Sequence, residues 1–61
     1  MTLIQFKDRH GVDFFVNPAN VLYVTTQKNE PGTTFIYLVG GGEMATKMEV
    51  SAVVSTLTSP N

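Results

Sequence analysis

His10 is the only histidine in this 61-residue chain, and Asp8 and Asp13 lie close to it. One general base with a neighbouring carboxylate to orient it can therefore be drawn. The same run, Asp8-Arg9-His10-Gly11, also has the composition of a type I turn, with Asp leading and Gly closing. A solvated turn is the reading taken. Ser51, Ser55 and Ser59 have no histidine at a suggestive spacing and no G-x-S-x-G context, so nucleophilic catalysis finds no support. Gly40-Gly41-Gly42 could bring backbone close to a phosphate, but it is not followed by Lys with Ser or Thr. It reads as a turn. With no cysteine and one histidine, neither a thiolate site nor a structural metal is expected, and no cofactor is implied.

Two binding chemistries remain. Lys7, Arg9 and Lys28, set among Phe and Tyr, are the residue types with which single-strand nucleic-acid binders hold phosphates and stack bases. Four basic residues stand against five acidic ones, however, with no basic run, so strong attraction to phosphate is not expected. The second chemistry is apolar. Phe15, Tyr23, Phe35, Tyr37 and Val39 are candidates for an interface between copies of the chain, for a reason that lies in the elements that carry them.

Those elements are organised around residues 33–57. Thr33 to Val39 is rich in β-branched and aromatic residues, the three glycines supply a reversal, and Glu43 to Met48 reads as the return strand. From Glu49 the period changes: Val50, Val53, Val54 and Leu57 fall on one stripe of a short amphipathic helix. Val, Ser and Thr are weak helix formers, so packing must hold it. Glu49 favours its N-terminus, and Pro60 ends the element within a flexible tail over 58–61.

Upstream, Leu3 to Asp8 alternates, with Ile4 and Phe6 on one side and Leu3, Gln5 and Lys7 on the other. A second strand is predicted over Val12 to Asn17. Asn17-Pro18-Ala19-Asn20 breaks the sheet and can form a single helical turn. Val21 to Gln27 makes a third strand, and Lys28 to Gly32 is expected to be a mobile polar loop rather than a tight hairpin. The sum is a single small α+β domain over 1–61, an antiparallel meander of four or five strands with one C-terminal helix.

Strict alternation makes both faces of the middle strands apolar. Phe14 and Val16 oppose Phe15, Val21 and Tyr23 oppose Leu22 and Val24, and Phe35, Tyr37 and Val39 oppose Ile36 and Leu38. One short helix covers one face. The other is expected to meet a second copy, by stacking or edge pairing, unless the sheet curls into a barrel that buries both. A chain of this size buries only about 60% of its unfolded surface, which also favours added burial by oligomerisation. No stretch approaches the roughly 20 apolar residues that span a bilayer, and no signal peptide is visible. A cytoplasmic protein is expected, and the start at Met1 suggests a complete small gene product.

The order of features resembles the small FlbD-type (SwrD-like) flagellar and swarming-motility proteins. The residues that carry the likeness are Gly11, Phe14, Phe15, Asn17 and Pro18, then Val21 to Val24, then Thr34, Ile36, Leu38 and Gly40 to Gly42, and finally Lys47, Val50, Val53, Val54 and Leu57. It spans nearly the whole chain and implies a non-enzymatic, homo-oligomeric accessory protein acting through protein contacts, of that sort or a phage or plasmid analogue. Over one strand, Ile36-Tyr37-Leu38-Val39 followed by glycine is similar to small RNA-binding domains of the Sm/Hfq type. That likeness accompanies the alternative, a nucleic-acid-binding or transcription-modulating β-domain.

Overall fold

The computed structural model describes residues 3–58. Its elements are β1 (Ile4–Lys7), β2 (Asp13–Val16), a single 3-10 turn (Pro18–Asn20), β3 (Val21–Gln27), β4 (Glu30–Leu38), β5 (Glu43–Thr46) and α1 (Val50–Leu57). The α+β class follows directly. The five antiparallel strands are divided between two sheets, β1-β2 and β3-β4-β5. β1 to β4 form where the sequence places β-branched or aromatic residues.

The turns use the chemistry their residues offer. The Asp8 carboxylate accepts from the backbone N–H of His10 (2.8 Å) and of Val12 (2.9 Å), which closes the β1–β2 hairpin. Asn17 caps the 3-10 turn by accepting from the Ala19 N–H (3.0 Å). Gly40 and Gly41 take φ of +98° and +105°, the left-handed region the β4–β5 reversal requires.

The segment from Lys28 to Gly32 departs from the expected mobile loop. Gln27 pairs with Glu30, leaving Lys28 and Asn29 as a two-residue turn, and Glu30, Pro31 and Gly32 belong to β4. The register then slips between Thr26 and Gln27, so that residues 31–33 form a bulge in which Gly32 has φ +84°. Proline lacks the N–H for a ladder bond, and a bulge is where a strand tolerates it.

A second slip, between Val21 and Tyr23, corrects the expected alternation in β3. Leu22 is bulged, so Val21 and Val24 both turn to the core. Tyr23 faces the other way. The core itself is Phe6, Val16, Ile36 and Val53, with Ile4, Phe14, Val21, Val24, Leu38, Met48 and Leu57 packed around it. It thus joins β1, β2 and the inner face of the three-stranded sheet under α1. The helix covers the Ile36 face.

Two buried threonines fasten these parts. The Thr46 hydroxyl donates to the Lys7 carbonyl (2.7 Å), beside a bridge between Asp8 and Thr46 that joins the two sheets. The Thr34 hydroxyl donates to the Met48 carbonyl (2.6 Å), holding the segment that leads into α1. Both side chains lie in the interior, where an unpaired hydroxyl would be costly, and both are satisfied. At the other end, Thr58 is the C-cap of α1 and its hydroxyl donates to the Val54 carbonyl (2.8 Å). The rest of the expected tail, with Pro60, lies outside the described residues.

Candidate interaction surface

On the outer face of β3-β4-β5, Tyr23 and Tyr37 are register partners, and their rings stack with centroids 4.7 Å apart. Next along β4 lies Phe35, between Thr25 and Ala45 on the neighbouring strands. Phe35 is only 6% exposed, with the Arg9 guanidinium 5.6 Å from its ring centroid. Glu30 accepts from the same guanidinium. The β1–β2 turn therefore reaches over the outer face and is held there by a cation-π contact and an ion pair. Phe35, named as an interface candidate, is buried within the chain's own fold.

The other candidates are at the surface but apart. Phe15 is exposed on β2, pointing away from Phe14 and Val16, while Tyr23 is exposed on β3, Val39 is exposed in the turn after β4 and Tyr37 is half-buried. Leu22 and Val54, not among the interface candidates, are exposed as well, at 63% and 42%. Val54 misses the core because α1 presents Val53 and Leu57 to it, and its own side chain reaches the rim. There, with Pro18, Val21, Tyr23, Val24 and Leu57, it lines an open groove of about 250 Å³ between α1 and β3. A second hollow, of about 320 Å³, is lined by Leu3, Phe14, Phe15, Leu38, Met44 and neighbours. A clue to the first was legible: the wide apolar stripe of the helix is more than one buried valine needs.

The cations are not gathered into a patch. Lys7 donates to the Asp13 carboxylate across β1-β2 (2.7 Å), and Arg9 is engaged by Glu30. Among the described residues, Lys28 and Lys47 make no ion pair. The carboxylates are correspondingly tuned. Asp13 is held below its ordinary pKa by the Lys7 hydrogen bond and charge, and Asp8 by the N–H of Val12 first and of His10 next. One oxygen of Asp8, Oδ1, thus takes both backbone bonds. His10 sits exposed in the turn, with its own N–H on that carboxylate. Among the described residues no three His, Asp or Glu side chains converge as metal ligands, and no helix is long and apolar enough to cross a membrane.

Comparison with protein-family models, curated proteins and solved structures finds no match to this chain.

Proposed function

We propose that this protein is a non-enzymatic, homo-oligomeric accessory protein that acts through protein contacts. The observation that carries the reading is the surface left by a completed core: Phe15, Tyr23 and Val39 are each more than half exposed, and the Tyr23-Tyr37 stack stands on the outer sheet face. Burial of such side chains against a second copy adds the apolar area a short chain lacks. The order of strands, glycine turn and closing helix, similar to FlbD-type motility proteins, supports an accessory role. Nucleic-acid binding has weaker support, because Lys7 and Arg9 each already hold a carboxylate.

The test is the solution mass by light scattering over a range of concentrations, with Tyr23→Glu beside the wild type. A dimer or larger assembly is expected, and Tyr23→Glu, at an exposed position, should lower the mass without unfolding the chain. A wild type that stays at the mass of one chain removes the homo-oligomer reading.

A further inference from the structure

We infer that the interface between copies is the free edge of β3, paired antiparallel with β3 of a second copy about a two-fold axis near Val24, with the two α1 helices side by side above it. The inference rests on the homo-oligomer reading and adds where and how the copies meet.

Four observations converge on this edge. β3 is the terminal strand of its sheet, so among the described residues one side of its backbone has no ladder partner. It is also unprotected. Edge strands are commonly defended by lysine, proline, inward charges or shortness, and Val21–Gln27 is seven residues long with none of those residues. The bulges at Leu22 and at residues 31–33 of β4 disturb only the two ends of the pairing, since Tyr23 through Thr26 pair with β4 in unbroken register.

Next, the charge map is blank on this side. None of the four basic and five acidic residues lies in β3 or in α1. Charges begin at the ends, with Lys28 after the strand and Glu49 before the helix. An uncharged surface offers nothing to a partner chosen by charge, and it suits a two-fold contact, where a charge close to the axis would confront its own copy. In the proposed register Lys28 falls opposite Asn20 of the second copy, so no like charges meet. Tyr23 falls opposite Thr25, an aromatic and β-branched pair of the kind that stabilises antiparallel ladders.

The groove supplies the third element, because its apolar lining runs from Val21 and Val24 on the strand to Val54 and Leu57 on the helix. Two-fold pairing brings two such grooves together on the same face of the joined sheet. Finally, the exposed residues Ser51, Ala52 and Ser55 of α1 are small, which lets a second helix approach closely.

The experiment is sedimentation equilibrium on the wild type, Leu22→Lys, Val54→Lys and Phe15→Lys, with amide hydrogen exchange across β3. Each substituted side chain is exposed in the protomer, so the fold should be kept, as circular dichroism will report. A dimeric wild type is expected, with consecutive amides of Tyr23–Thr26 protected. Leu22→Lys and Val54→Lys should raise the dissociation constant about tenfold or more, equivalent to about 1.4 kcal/mol, and leave only alternate β3 amides protected. Phe15→Lys should leave the mass unchanged. A dimer that survives both β3-side substitutions with its β3 protection intact overturns the edge mode while the homo-oligomer reading stands. Loss of the dimer in Phe15→Lys alone does the same and moves the interface to β2. A wild type of one-chain mass at every concentration overturns both.

Discussion

At the scale of single residues, the carboxylates near His10 are engaged in local contacts, Asp8 with backbone N–H groups and Asp13 with Lys7. Asp8 is the plainest case, since its carboxylate accepts from two N–H groups of its own turn. Those bonds favour the charged form and lower its pKa from the usual 3.8. The sign of the linkage follows. The folded state binds this proton less readily than the unfolded chain, so the stabilisation is present above pH 3.8 and is lost as pH falls through the depressed folded value. Asp13, lowered by Lys7, acts in the same direction. Asp8→Asn keeps an oxygen acceptor but cannot titrate, and should reduce the fall of melting temperature on acidification. Asp8→Ala should also lower the melting temperature at neutral pH, by leaving the turn without its acceptor. An acid limb identical in Asp8→Asn and wild type would show that this carboxylate does not couple to folding.

At the scale of elements, the two sheets depend on one seam. β1 and β5 meet through the bridge between Asp8 and Thr46, and the Thr46 hydroxyl donates to the Lys7 carbonyl. Thr46 is 1% exposed, so a missing donor there is not replaced by water. Thr46→Val keeps the shape and removes the bond, and should destabilise by about 1–3 kcal/mol. Urea unfolding measures the loss, and hydrogen exchange should rise first at the β1–β5 seam. A change below about 0.5 kcal/mol, the size ordinary surface substitutions produce, would mean the seam is held by packing alone. The elements were largely readable beforehand: the bounds of β3, the glycine reversal and the stripe of α1 follow from period and turn residues. The bulges were not. A bulge is a mismatch between two strands, and its position depends on the partner's register, so Leu22 does not announce it locally, and Pro31-Gly32 marks an interruption without saying that the strand resumes pairing around it.

At the scale of the whole molecule, the charges leave one side bare. The ion pairs Lys7-Asp13 and Arg9-Glu30 lie on the outer side of β1-β2 and at the β3–β4 turn, while β3 and α1 carry no charge. Exposed pairs of this kind contribute little to stability and are screened by salt. Association through an uncharged seam should therefore persist or tighten as salt is raised, whereas contacts to phosphate weaken steeply. Sedimentation at low and high salt distinguishes them, and an assembly that dissociates with salt would point to a charged interface. Composition and period by themselves determined the α+β class, the order of elements and the excess of apolar side chains over what one helix can cover. Tertiary structure alone decided that α1 covers the Ile36 face, that Phe35 lies beneath Arg9, that Lys7 and Arg9 are each paired, and that β3 is left at an edge. The physical reason is one of range. Period and turn chemistry act between residues close in sequence, while burial and edge position are set by strands brought together from far apart along the chain.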